Sequence, residues 1–401
     1  MQNTKDVQAP EEVKKAMQSA FEIAKNSTLF SGYYGAYTHY EQAPALAKNE
    51  LKNILAQRFN ITHEPKGVYL VRSGGSTQSP LIFPVDIQEN QHMRLALAKV
   101  LVEQKIITPQ TVALNIFGYS DLYRTAAIMD DILEKCEATT LAVSAHAGYA
   151  DMLATALHFN PGLIMGTPSK LLQFAKYLEK NQQTLAIPDL LYAGEFLRPS
   201  LQKLFQKTLG VKKIWSLYGS AETGIWAWAS INDAPSVFRV LPGVLIEIIE
   251  PDEEGYGLIA VTNTYRKRFP VFRYLIGDIG RWQTDGKEYV LELKSRETKS
   301  FVLAEQHYDL DEFSPITGEA DAFQIQLTTQ SNLQDEITIL LVQRVEAENH
   351  TRFLQDKTDT LWKIIDANPK LITASVVLVE SGALYINPAT AKIPALVDWR
   401  T

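Results

Sequence analysis

Between residues 65 and 225, short apolar runs take turns with stretches of helical period, and this alternation limits the possible folds more than any other feature of the chain. Val68–Val71, Val112–Phe117, Thr140–Val143, Leu163–Met165, Leu190–Tyr192 and Ile214–Leu217 read as buried strands. Between them, Gln91–Glu103, Leu122–Glu134, Ala147–His158, Ser169–Leu178 and Pro199–Thr208 repeat apolar residues at three- and four-residue steps and read as helices. Parallel strands need crossovers of this kind, so the pattern predicts an α/β fold with mainly parallel sheets flanked by helices. Ligands of such sheets collect at the carboxyl ends of the strands.

After Tyr218 the texture changes. Gly243–Glu250, Leu258–Asn263, Arg281–Gln283 and Glu288–Leu293 read as strands joined by turns. They suggest a β-rich subdomain, about residues 225–296, beside the main sheet. A third unit begins near residue 297. Ala322–Thr328, Glu336–Val342 and Ser375–Val379 read as strands around a helix over Ala347–Asn368, which suits a small α+β unit, ferredoxin-like being one such arrangement. The expected organisation is a large N-terminal domain over 1–296 and a small C-terminal α+β domain over 297–401.

Composition narrows the function classes. The 401 residues carry 39 Lys plus Arg against 46 Asp plus Glu, a formal net charge of −7. That balance lacks the broad basic surface that grips nucleic acid or anionic lipid. One cysteine, Cys136, excludes an intramolecular disulfide and cysteine-rich metal sites. The seven histidines form no HxxxH or HExxH spacing. The polar stretch Met1–Lys15 lacks the apolar centre of a signal peptide, and no uninterrupted apolar run reaches membrane-spanning length. A cytoplasmic protein without nucleic-acid or membrane partners is expected.

Three segments carry candidate chemistry. Ser73-Gly74-Gly75-Ser76-Thr77-Gln78-Ser79-Pro80 follows the first strand. Its glycines admit close backbone approach, and its hydroxyls and N–H groups can hold phosphate oxygens. It also reads as a surface turn, and it lacks the Gly-Lys-Ser/Thr ending of a Walker A loop. Tyr218-Gly219-Ser220-Ala221-Glu222-Thr223 follows the strand Ile214–Leu217. Glu222 there can ligate Mg²⁺ between phosphates, or the segment can open a helix with Ser220 as its cap. In Arg273-Tyr274-Leu275-Ile276-Gly277-Asp278 the carboxylate can accept from a ribose diol, or Gly-Asp can be an ordinary turn. Gly255-Tyr256-Gly257-Leu258-Ile259-Ala260 fits a dinucleotide fingerprint by letter, but it precedes a strand and reads as a hairpin turn.

Taken together and in order, from about Val68 to Arg400, these segments resemble the adenylate-forming acyl and aryl ligase superfamily, most closely its phenylacetate–coenzyme A ligase-like branch. Length and terminal region are also similar to indoleacetate–lysine ligases. Gly166-Thr167-Pro168-Ser169 looks like the family's Gly-Thr/Val-Pro-Ser segment, and Ala193-Gly194-Glu195 like its Gly-Glu adenine-side segment. Ser295-Arg296-Glu297-Thr298 falls where the family has its Gly-Arg-x-Asp hinge. Ala391-Lys392-Ile393-Pro394-Ala395-Leu396-Val397-Asp398-Trp399-Arg400 resembles the terminal stretch that carries a catalytic lysine. The departures are Gln78 and Ser79 for Gly-Lys in the phosphate loop, Ser295 and Thr298 at the hinge, and Ala391 for Gly before Lys392.

The resemblance implies ATP-dependent activation of a carboxylic acid as acyl-AMP, with transfer to coenzyme A, to a carrier-protein phosphopantetheine, or to an amine. It assigns Ser73, Gly74, Gly75, Ser76 and Thr77 to the phosphates, and Gly194, Glu195, Tyr218, Gly219, Ser220, Asp278 and Arg296 to the rest of the nucleotide and the hinge. Glu222 is the expected Mg²⁺ ligand and Lys392 the catalytic cation on a mobile cap. Phe117, Gly118, Tyr119 and Trp226 are candidate walls for an aromatic or apolar acid. A nucleotide-binding protein without catalysis is the rival from another class.

Overall fold

The computed structural model describes residues 11–63, 67–72, 81–197, 199–231, 237–285, 288–296, 300–303, 306–329, 334–365, 372–388 and 390–400. Three helices come first: α1 (Glu11–Asn26), α2 (Ser31–Tyr34) and α3 (Lys48–Arg58). The antiparallel hairpin of β1 (Val68–Arg72) and β2 (Ile82–Asp86) follows. Its connection contains the Ser73–Pro80 loop, which lies outside the described residues.

Strands and helices then alternate as expected. The elements are α4 (Ile87–Glu103), β3 (Val112–Asn115), α5 (Thr125–Lys135), β4 (Thr139–Ala142), α6 (Tyr149–Phe159), β5 (Leu163–Gly166), α7 (Pro168–Lys180), β6 (Asp189–Ala193), α8 (Pro199–Leu209) and β7 (Lys213–Ser220). All pairings among these strands are parallel, in the order β7-β6-β5-β3-β4. Alternate side chains go to opposite faces. Ala113, Leu163, Met165 and Leu191 pack under α4 and α5, whereas Leu114, Ile164, Leu190 and Tyr192 pack under α6, α7 and α8. Burial on both faces explains why these strands read as continuous apolar runs. Helix α5 starts at Thr125, after the Leu122 start that the periodicity suggested. Asp121 and Leu122 have left-handed backbones (φ 47° and 63°) that a helix cannot contain.

β8 (Gly224–Ser230) turns back antiparallel on β7, so Tyr218–Thr223 makes a hairpin and Ser220 caps no helix. β9 (Val237–Val240), β10 (Val244–Ile249), β11 (Gly257–Asn263), β12 (Val271–Asp285) and β13 (Glu288–Arg296) continue from it. The β-rich part is thus joined edge to edge with the parallel part, in an eleven-stranded sheet of order β10-β11-β12-β13-β9-β8-β7-β6-β5-β3-β4. Gly255, at φ 86°, sits in the β10–β11 hairpin turn that the sequence predicted. The N-terminal helices pack on this half: the Tyr34 ring lies 5.4 Å from that of Phe272 on β12, and its hydroxyl donates to the Phe272 carbonyl at 3.2 Å.

The C-terminal part has its own core. The hairpin β14 (Ser300–Leu303) and β15 (Gln306–Asp309) leads through α9 (Ser314–Thr317) to β16 (Ala322–Thr329) and β17 (Asp335–Val342). Helix α10 (His350–Ile365), β18 (Ile372–Leu378) and β19 (Leu396–Asp398) complete it. The sheet order is β18-β17-β16-β19, with β16–β17 antiparallel and the outer pairs parallel. The ferredoxin-like arrangement does not form: two of the three pairings in this sheet are parallel, and one long helix, α10, precedes β18. Among the described residues no helix is long and apolar enough to cross a membrane.

Candidate active site

The carboxyl ends of β5, β6 and β7 lie side by side, with Gly166 opposite Tyr192 and Ala193 opposite Leu217. Each end carries one of the motifs. After β5, Thr167 caps α7 by accepting from the Lys170 N–H at 3.3 Å, and Pro168 occupies the first helical turn, where no N–H is needed. This cap aims Ser169 at the end of β6. There Glu195 accepts from the Ser169 N–H at 2.9 Å and from its hydroxyl at 2.8 Å. Burial pushes the Glu195 carboxyl above the ordinary carboxylate value, and the Lys392 ammonium and the Ser169 and Ile393 donors pull against that shift.

The C-terminal segment reaches this place from the other core. Lys392 Nζ donates to the Gly194 carbonyl at 2.9 Å and lies 5.6 Å from the Tyr123 ring centroid. The Ile393 N–H donates to the Ser169 hydroxyl at 3.1 Å. Gly194 has φ +82°, and a Cβ there would stand 2.7 Å from Lys392 Nζ. Gly118 also lies near the segment, since a Cβ on it would lie 3.1 Å from the Thr390 carbonyl oxygen.

At the end of β7, the Tyr218 hydroxyl hydrogen-bonds the buried Asp278 carboxylate. Two bends let β12 carry Asp278 there: Arg273 at φ 47° and Gly277 at φ 76°, with register shifts along β11. Asp278 is therefore a strand residue, not the turn residue that Gly-Asp suggested, and it pairs across to Arg296 on β13. In the hairpin, the Ser220 and Thr223 hydroxyls lie 3.0 Å apart and each meets the other residue's N–H. Glu222 is buried against the Tyr274 hydroxyl, which desolvation and this carboxylate hold well above the ordinary phenol value. A lone carboxylate is what Mg²⁺ asks of a protein when phosphates supply its other ligands. Among the described residues no group of three acidic, histidine or cysteine side chains could hold a metal by itself.

Gly194, Glu195 and Lys392 thus meet at the end of β6, and Tyr218, Gly219, Ser220 and Asp278 lie at the adjoining end of β7. Phe117 and Trp226 lie wholly in the core, Trp226 edge-on to Tyr218 at 4.8 Å. Tyr119 is half exposed. Ser73, Gly74, Gly75, Ser76 and Thr77 lie outside the described residues, as does the side chain of Arg296. Ser169, Tyr123 and Tyr274 make contacts for which the sequence reading assigned no role.

A solved 2-hydroxyisobutyryl-CoA ligase, in the postadenylation state with 2-HIB-AMP, matches with a TM-score of 0.74 over 96% of this chain and 88% of that one, at 14% identity. This chain has the fold of the adenylate-forming ligases. The same ligase with 2-HIB-AMP and CoA in the thioesterification state gives a TM-score of 0.64 over 97% and 89%, at 16% identity. ATP-bound MatB from Rhodopseudomonas palustris matches at 14% identity and a TM-score of 0.53, over 81% of this chain and 66% of that one. Among curated proteins, indoleacetate–lysine synthetase of Pseudomonas savastanoi is 26% identical over 156 residues, 37% of this chain and 38% of that protein. No family model matches the chain.

Proposed function

We propose that this chain activates a small carboxylic acid as its acyl-adenylate at the expense of ATP and then passes the acyl group to a nucleophile. The carrying observation is that Lys392, from the C-terminal part, docks on Gly194 at the end of β6, beside the end of β7 where Tyr218 holds Asp278. An acid carboxylate oxygen attacks the α-phosphorus, the bond to the β-phosphate oxygen breaks, and pyrophosphate leaves. An acceptor thiol or amine then attacks the acyl carbon and AMP departs. Such chemistry asks a protein for positioning and charge stabilisation and needs no protein nucleophile.

In this reading Lys392 neutralises charge on the attacking carboxylate and the α-phosphate. Asp278, fixed by Tyr218, holds the ribose hydroxyls, and Ser73, Gly74, Gly75, Ser76 and Thr77 cradle the outer phosphates. Glu222 would hold Mg²⁺, which supplies charge neutralisation on the phosphates when bound. The Ser169–Glu195 pair fastens the Lys392 segment for the first step. A cap over 297–401 would release that segment by turning on the main domain (1–296) at Arg296–Thr298 before the second step.

Acid-dependent exchange of labelled pyrophosphate into ATP tests this reading. Exchange with some acid is expected, and none across aromatic, aliphatic and amino acids would favour a nucleotide-binding protein without catalysis. For the acceptor, the fold neighbours favour a thiol, and the match to indoleacetate–lysine synthetase favours an amine. Assays of acyl transfer to coenzyme A, a carrier protein and free amino acids separate the two.

A further inference from the structure

Beside the proposed site, four distant segments bring three guanidinium groups around Tyr69 of β1. The Arg124 guanidinium carbon lies 4.7 Å from the Tyr69 ring centroid and 5.8 Å from that of Tyr119. Arg94 of α4 donates to the Tyr69 hydroxyl at 2.8 Å, and Asn90 donates to the same oxygen at 2.7 Å. Arg266, which follows β11, is only 4% exposed and donates one Nη2 hydrogen to Asn90 Oδ1 at 2.9 Å.

The acids nearby are occupied. Asp131 pairs with Arg94 at 2.9 Å and with Lys135 at 2.6 Å. Asp86 pairs with Arg268 and caps α4, while Glu89 accepts from the N–H groups of Lys267 and Arg268. Among the described residues, Arg266 Nε and Nη1 and Arg124 Nε are buried with no acceptor. Loss of solvent pulls the Arg266 guanidinium down to about 10. Buried donors of this kind almost always have partners, and a buried charge left short of them is costly. An anionic acceptor would satisfy these donors.

The cluster's position says which molecule brings one. Tyr123, whose ring lies under Lys392 Nζ, directly precedes Arg124. On the other side, a Cβ on Gly224 would stand 3.2 Å from Arg266 Nη2, and Gly224 closes the hairpin that contains Glu222. The guanidinium cluster therefore adjoins the place where the carboxylate would react. We infer that the acid activated by this chain carries a second anionic group, a carboxylate or a phosphate ester, which Arg124 and Arg266 receive at the far end of the acyl site. This deepens the adenylation reading and rests on it. It replaces the aromatic or apolar acid that Phe117, Tyr119 and Trp226 suggested.

The test is pyrophosphate exchange with glutarate, adipate, phthalate and 3-phosphoglycerate, each beside a singly charged acid of similar size. The wild type is compared with Arg124→Gln and Arg266→Met. The best acid with a second anionic group should exceed its singly charged partner at least 100-fold in kcat/KM. Either substitution should raise KM for that acid at least tenfold, leave KM for ATP within twofold, and narrow the gap between the two acids. The carboxylate and phosphate arms identify the group. Equal or better exchange with singly charged acids, unchanged by Arg124→Gln, overturns the inference and leaves adenylation standing. A raised KM for ATP alone assigns the cluster to the triphosphate and also overturns it. No exchange with any acid removes the adenylation reading and the inference with it. Without acid, Arg266→Met should melt no lower than the wild type, and a markedly lower melting temperature would make Arg266 a structural residue.

Discussion

Replacing Ser169 by Ala separates the two half-reactions through a single oxygen. The Ser169 hydroxyl donates to Glu195 at 2.8 Å and accepts from the Ile393 N–H at 3.1 Å. The first bond lies within the main sheet unit and survives if the C-terminal part moves away. The second exists only while the Lys392 segment is docked. The substitution therefore costs the docked arrangement one backbone N–H bond, about 1–2 kcal/mol with its donor left in a half-buried place. At about 1.4 kcal/mol per decade, docking weakens by roughly 5–30-fold. With acid and ATP saturating, pyrophosphate exchange should fall by that factor. Acyl transfer from supplied acyl-AMP should hold or rise, because it follows release of the segment. Ser169→Thr, which keeps the oxygen, should recover most of the exchange. An equal fall in both half-reactions, or no fall in the first, would refute the reasoning.

Two further outcomes follow from buried polar groups. Tyr218→Phe removes a hydroxyl donor from the Asp278 carboxylate and should raise KM for ATP about tenfold, with little change in KM for the acid, as initial rates would show. Lys170 is buried 4.1 Å from the Tyr149 ring centroid, and desolvation holds its ammonium near 8 against an ordinary 10.5. The unfolded chain then binds its proton more tightly, so the cost to stability is full below about pH 8 and fades as pH rises toward 10.5. Lys170→Met should be the more stable protein by about 1–2 kcal/mol at pH 7.5, after allowance for solvent screening. Denaturant midpoints should show that advantage shrinking by pH 10, and a constant difference would contradict the assignment.

Features set by local patterning were legible in the sequence. Ala113 and Leu114 go to opposite faces because the strand alternates, and both faces are covered, so the apolar run and the parallel sheet were visible together. The motif positions at strand ends were visible for the same reason. What escaped was set by distant partners or by single unusual dihedrals. Nothing near Tyr34 announces that Phe272 will accept its hydroxyl, and nothing near Asp278 announces that left-handed residues at 273 and 277 will keep it inside a strand. Tyr218–Thr223 has the letters of a helix start, but its ends are drawn back by pairing with β8. The arginine cluster is less visible still, since Tyr69, Asn90, Arg94, Arg124 and Arg266 share no periodicity and meet only when the fold is complete.

The central claim is that Lys392 serves the first chemical step from its place beside Gly194. Lys392→Ala, followed through each half-reaction separately, tests it most directly. Removal of one such preorganised charge should slow acyl-adenylate formation by about 10²–10³, while acyl transfer from supplied acyl-AMP stays near the wild-type rate. Unimpaired adenylate formation, or equal losses in both steps, would contradict it.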